Sequence, residues 1–254
     1  MSVEGMRMSD TMTAQTISFA GDGGTQIEGY LARPVGGGSF GSVVVIHHMP
    51  GYDLATKEMV RRFASEGYAA LCPNLYHREA PGADPDDAAA TVRAAGGVPD
   101  ERLVGDVAGA AAYLKALDGA NGKVGVIGHC SGGRQTFLAA CSIQVDAAVD
   151  CYGAFIVNEV PAGMPLNFTP ILGLAPGLSC PLLGLFGAED KYPGPEETAA
   201  LGAELDRHGK EYEFHTYDDA GHGFFAVDRP SYRPAAAVEG WKRIFAFYGT
   251  HLAG

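Results

Sequence analysis

The chain has 254 residues, 46% of them apolar and 19% charged, enough apolar material for a full buried core. Its formal charge of -12, with no basic run to offset it, argues against unspecific attraction to nucleic acid or to an anionic membrane surface. No run of about 18 apolar residues could span a membrane, and the opening MSVEGMRMSDTMTAQTISFAGDGG holds no apolar stretch of signal-peptide length.

Five cysteines, Cys72, Cys130, Cys141, Cys151 and Cys180, form no CxxC pair and no dense framework, which fits a reducing cytoplasm. Methionines at 1, 6, 8 and 12 leave the start codon open. Residues 1–12 are expected to be disordered, and 13–254 to form one domain.

TISFAGDGGTQIEGYLARP alternates apolar and polar residues on either side of Gly21–Gly24, the pattern of an antiparallel hairpin. Short apolar runs follow at 42–48, 68–76, 123–130, 145–153, 180–187 and 211–221, each closed by glycine, proline or polar residues. Helical period appears at 55–66, 99–117, 132–141, 195–209 and 234–251. Buried-type strands alternating with helices predict right-handed crossovers and a mostly parallel sheet with helices on both faces. The acidic, alanine-rich segment 78–100 reads as an excursion near the strand ends, carrying a short extra helix. Catalytic loops of such a sheet lie at the carboxyl ends of its strands.

VGVIGHCSGGRQ (124–135) is the most informative stretch. Gly128-His129-Cys130-Ser131-Gly132 matches G-x-Nuc-x-G after a strand and before a helix, the setting of a nucleophile elbow. Centring the frame on Ser131 would put His129 where the first small residue belongs, so the glycines select Cys130. A cysteine at a helix N-terminus has its thiolate favoured by the helix dipole and nearby amides. Ser131 then contributes its backbone N–H, which follows the nucleophile, as an oxyanion donor. Cys72, Cys141 and Cys151 read as packing residues. The glycines also read as G-x-x-G-x-x-x-G, but the motif lies mid-chain rather than in a first βαβ unit, and no Tyr-x-x-x-Lys pair occurs in the chain, which argues against a dinucleotide site.

An elbow nucleophile on this fold expects an acid and then a histidine on later strand-end loops. LLGLFGAEDKYPGPEE delivers Glu189 and Asp190, of which Asp190 lies further into the loop; YEFHTYDDAGHGFF delivers His222 between glycines. Asp218 and Asp219 are too near His222 in sequence to come from a separate strand. A second oxyanion donor is expected from the Met49 N–H in VVVIHHMPGYD. The adjacent pair His47 and His48 diverges, and no cluster has metal-ligand spacing, so no metal is expected.

VVVIHHMPGYD, CPNLYHREAPG, GVIGHCSGG, LFGAEDKYP and AGHGF, in this order, resemble the successive motifs of the dienelactone hydrolase family, from about Thr25 to the C-terminus. The resemblance implies an α/β-hydrolase fold without a large lid, a cysteine nucleophile, and opening of lactones such as dienelactone. It places the nucleophile on Cys130, the aspartate on Asp190, the histidine on His222 and the oxyanion amides on Met49 and Ser131. A substrate-carboxylate arginine falls on Arg78 and a pocket tyrosine on Tyr152. Two positions depart from the family pattern. His48 stands where a glutamate contacts the resting thiol, and Ala226 stands where a second arginine binds the carboxylate.

The sequence thus predicts a cytoplasmic hydrolase of small esters or lactones, acting through Cys130, His222 and Asp190 without a cofactor. His48 is a candidate for thiol activation, and the oligomeric state is left open. Two alternatives keep the fold: a broad carboxylesterase inactive on dienelactone, and a thiol redox sensor at Cys130.

Overall fold

The computed structural model describes residues 12–36, 38–164 and 166–253. The expectation of a disordered start concerns residues that, up to 11, lie outside these; Met12 is already the first residue of a strand, paired with Pro34. That strand, β1 (Met12–Ala20), and β2 (Gln26–Pro34) form the expected antiparallel hairpin. Their turn contains Gly23 and Gly24 at φ +60° and +76°, a region open to glycine without steric cost.

Six further strands complete one sheet: β3 (Phe40–Ile46), β4 (Ala69–Pro73), β5 (Ala120–His129), β6 (Ala147–Cys151), β7 (Leu182–Gly187) and β8 (Tyr212–Tyr217). Their order is β1-β2-β4-β3-β5-β6-β7-β8, and every pairing from β4 to β8 is parallel. Every residue of β3, β4, β6 and β7 is buried. Helices on both faces explain why these strands read as unbroken apolar runs rather than alternating ones.

On one face, α1 (Leu54–Ser65) and α6 (Pro234–His251) pack Val60, Phe63, Trp241, Ile244 and Tyr248 against β3, β5 and β6. Asp53 starts α1 by accepting a hydrogen bond from the Thr56 N–H at 2.8 Å. Phe63 then meets the rings of Tyr68, Trp241, Phe245 and Tyr248 at centroid distances of 5.5 to 6.4 Å. Replacing it with alanine would cost about 3–5 kcal/mol through lost burial and the cavity left behind.

The opposite face carries α3 (Asp100–Lys115), α4 (Ser131–Ser142) and α5 (Pro195–Arg207), whose Leu103, Val107, Leu114, Phe137, Leu201 and Leu205 are buried. The acidic excursion folds as expected into a short helix, α2 (Pro85–Ala94), with proline in its first turn. Among the described residues, no helix is long and apolar enough to cross a membrane. The loops after β3, β5, β7 and β8 carry Met49, Cys130, Asp190 and His222 to one end of the sheet.

Candidate active site

Cys130 joins the end of β5 to the start of α4 with φ 57° and ψ -124°, a conformation that costs a non-glycine residue about 1–3 kcal/mol. Neighbouring backbone holds it there. Its N–H donates to Cys151 O at 3.0 Å, and its carbonyl accepts from the Gly133 N–H at 2.9 Å. The flanking glycines are required by contact: a Cβ on Gly128 would stand 2.1 Å from Gly132 O, and one on Gly132 would stand 2.5 Å from Ile46 O. Sharp turn, strained residue and close strand–helix approach are thus one arrangement.

After β7, Asp190 turns inward and is almost wholly buried. One carboxylate oxygen accepts from the Tyr192 N–H at 2.9 Å, and the other lies 2.9 Å from His222 Nδ1. Donation from Nδ1–H to the carboxylate leaves the Nε2 side of the ring for the thiol. Burial opposes charge on this ring, but hydrogen bonds to Asp190 and to Cys130 outweigh it and raise the His222 pKa to about 10. Glu189, the other carboxylate of that loop, is exposed.

The structure therefore brings Cys130, Asp190, His222, Met49 and Ser131 to one cleft of about 430 Å³. Neither the Met49 N–H nor the Ser131 N–H donates a hydrogen bond to another of the described residues, so both donors are available there. The remaining walls are mainly apolar: Phe155, Met164, Leu166, Phe168 and Tyr192. Most of these come from the irregular segment after β6, which the sequence reading did not mark, because it has neither helical nor strand period.

Three expected residues stand elsewhere. Arg78 is not at the cleft; its guanidinium forks onto the fully buried Asp106 of α3, with N–O distances of 2.7 and 2.8 Å. That pair fixes α3 to the loop after β4 and occupies the planar face a substrate carboxylate would need. His48 also turns away from the thiol: its Nε2 lies 2.8 Å from Asp53 Oδ2. Although burial works against ionisation of Asp53, hydrogen bonds from His48 and the Thr56 N–H hold its pKa at about 2. His48 borders a separate cavity of about 470 Å³, behind the elbow, with His129, Tyr152, Ala226 and Trp241. Tyr152 lies on that side as well, its ring edge-on to His222 with centroids 5.1 Å apart, and it supports the imidazole from behind.

The neighbouring histidines are structural. His47 Nδ1 donates to His48 O and Nε2 accepts from the Leu75 N–H, while burial pushes its pKa down to about 4. Burial lowers that of His129 to about 3. No group of three or more histidines, cysteines and carboxylates able to hold a metal occurs among the described residues.

Two supporting residues escaped the sequence reading. Tyr76 donates its hydroxyl to Met49 O at 2.9 Å and so fixes the loop that carries Met49. Arg134, buried in α4, binds Asp100 with two 3.0 Å contacts, donates to Thr169 O, and lies 4.8 Å from the ring centroid of Phe168. It anchors the wall segment to the elbow helix. A lone cation in the apolar run SGGRQTFLAACS was a legible sign of a buried partner.

Sheet, elbow and strand-end residues together define an α/β hydrolase. The sequence model described as "Dienelactone hydrolase family" matches residues 27–252, and the chain belongs to that family. It is 35% identical over 229 residues to a Methylorubrum extorquens protein named "Putative carboxymethylenebutenolidase", covering 88% of this chain and 77% of that one. A Salmonella typhimurium protein of the same name is 34% identical over 235 residues, covering 89% and 84%. The crystal structure titled as a putative dienelactone hydrolase from Klebsiella pneumoniae superposes with a TM-score of 0.83 at 28% identity, covering 95% of this chain and 100% of that one. The chain is a hydrolase.

Proposed function

We propose that this hydrolase cleaves small carboxylic esters or lactones through a Cys130 acyl-enzyme, with His222 as proton carrier and Asp190 as its orienting carboxylate. The observation that carries the reading is the 2.9 Å contact from His222 Nδ1 to Asp190, in the same cleft as a cysteine held at φ 57° by its glycine frame.

The sulfur of Cys130 attacks the carbonyl carbon, and the resulting oxyanion takes the free N–H groups of Met49 and Ser131. Collapse breaks the carbon–oxygen bond to the leaving group, which departs with the proton from His222 Nε2 and leaves a thioester. Forming the thioester removes the thiol's own hydrogen-bond contribution to the raised imidazole pKa, so more of the ring is held in the neutral form that can accept a proton in the second step. Water gives a proton to Nε2 and attacks the thioester, and the sulfur leaves as the acid product is released.

The walls favour acyl or aryl groups without charge. Phe155, Met164, Leu166, Phe168 and Tyr192 supply apolar surface, and beyond the proposed catalytic groups the charged lining residues described are Lys191 and Glu189, of opposite sign. Arg78 is committed to Asp106 and Arg134 to Asp100. The names of the relatives point to a lactone; this cleft favours neutral esters and lactones over those bearing a carboxylate. The five free cysteines suit work in a reducing compartment.

Stopped-flow hydrolysis of a nitrophenyl ester tests the reading. A burst approaching one nitrophenol per active site is expected, and Cys130→Ala is expected to lose both burst and turnover. Full turnover by that variant would sink the proposal.

A further inference from the structure

The last strand leaves one edge of the sheet open. β8 pairs with β7 alone among the described strands, in parallel register, with Leu182 opposite Tyr212 and Gly187 opposite Tyr217. The carbonyls of Glu211 and Tyr217 accept from the Leu182 and Ala188 N–H groups, so odd-numbered residues turn their backbone groups toward β7. By the two-residue period, Tyr212, Phe214 and Thr216 turn theirs outward. An open row of this kind is a template for another strand.

We propose that this edge is a homodimer interface, in which β8 of two copies pair antiparallel about a two-fold axis at Phe214 and join the sheets.

Backbone polarity restricts the choice of register. Hydrogen-bonded pairs must join outward-facing residues, which puts the axis on a residue rather than between two. Around the middle of the strand that leaves 213, 214, 215 or 216, and an axis at 216 sets Glu213 against Asp219. An axis at 213 sets Glu213 against its own copy, and one at 215 sets Glu211 against Asp219. The axis at 214 instead sets Glu213 opposite His215 and Lys210 opposite Asp218, each pair occurring twice by symmetry. Opposite charges directly across an antiparallel pair are favourable and like charges are not.

Two of these four groups lack an ion-pair partner within one chain among the described residues, whereas Glu213 already meets His215 and, at 3.9 Å, Arg243. Asp218 is exposed, and neither it nor Lys210 has an ion-pair partner among the described residues, although Lys210 Nζ donates to Leu178 O at 3.0 Å. His215 Nε2 contacts Glu213 Oε1 and also lies 3.0 Å from Arg243 Nη1. One ring nitrogen cannot donate to the first and accept from the second at the same time, so the second copy's imidazole gives Glu213 a further donor. The other sheet edge offers no such selection, because β1, MTAQTISFA, contains no charged residue.

Sedimentation of the full chain over a concentration series, with variants, tests this. Wild type is expected to be a dimer. Thr216→Pro removes an outward N–H while sparing the bonds to β7, and is expected to sediment as a monomer with unchanged circular dichroism and esterase activity. Glu213→Lys is expected to weaken the dimer at least tenfold, and Glu213→Lys with His215→Glu to restore it. Phe214→Cys is expected to cross-link as a dimer on oxidation, because Cα atoms about 5.5 Å apart at a hydrogen-bonded pair suit a disulfide. A monomeric wild type at every concentration, as would follow if the edge served an unrelated partner, overturns the proposal. So does a dimer that survives Thr216→Pro.

Discussion

Asp190 and His222, on loops 32 residues apart, meet through a 2.9 Å contact in which one carboxylate oxygen receives the imidazole Nδ1–H while the other is held by the Tyr192 N–H. The carboxylate thus holds the Nδ1–H and fixes the ring with Nε2 directed away from Asp190. Asp190→Asn keeps the shape and removes the charge, and the amide can turn its NH₂ toward Nδ1 and reverse the tautomer. kcat for a nitrophenyl ester should fall by about 10²- to 10⁴-fold with little change in KM. Its pH profile should also shift toward lower pH, because the carboxylate helps to raise the imidazole pKa. An unaltered profile together with wild-type kcat would remove Asp190 from the reaction.

The same contacts link stability to pH. His222 titrates near 10 in the folded chain against 6.5 for a free imidazole, so folding favours the protonated ring. The resulting stability is complete below pH about 6.5 and is lost as pH rises toward about 10. Urea midpoints of wild type and His222→Gln, measured across that range, isolate the contribution from other titrating groups. The wild-type advantage should be greatest at the acidic end and shrink steadily toward pH about 10. A difference independent of pH would show that the ring is neutral in the folded state.

Gly128 and Gly132 have no room for a side chain. In Gly128→Ala the new methyl would lie 2.1 Å from Gly132 O, and in Gly132→Ala it would lie 2.5 Å from Ile46 O. Both obstacles are backbone, so relief requires moving strand from helix. Each variant should lose about 3 kcal/mol or more in denaturant unfolding, or fail to fold. Any folded fraction should show depressed kcat, because the elbow that aims the sulfur is displaced. Gly249→Ala, where nothing stands within 4 Å of the added methyl, is the matched control and should be near neutral.

What could be read from the sequence follows the range of the interactions. The elbow was legible because its constraint is local: glycines two residues either side of Cys130 serve a turn that needs them. The strands and helices were legible because burial imposes a period, and the boundaries moved by only a few residues. Cleft walls at Phe155 and Phe168 were not, since aperiodic loops carry no such signature. Side-chain direction was the other gap. Alignment of motifs put His48 and Arg78 at suitable positions in the chain, but their orientation depends on Asp53 and on Asp106, which is 28 residues further on. Nothing near Arg78 in sequence announces that partner.

Arg78 gives the most direct test of that lesson. Asp106 is fully buried and also accepts from the Asp22 N–H at 2.8 Å, so Arg78→Ala leaves a buried carboxylate without its cation. Removing one member of a buried pair costs about 3 kcal/mol, reduced somewhat by the partial exposure of Arg78. Unfolding of Arg78→Ala should register that loss, and Arg78→Lys should recover only part of it, because a single ammonium cannot make the two-pronged contact. Kinetics should show the opposite pattern. With folded protein, KM for nitrophenyl hemisuccinate relative to nitrophenyl butyrate should match wild type. A selective rise in KM for the charged ester, with stability intact, would return Arg78 to the substrate and give the cleft the carboxylate clamp that its salt bridge to Asp106 denies it.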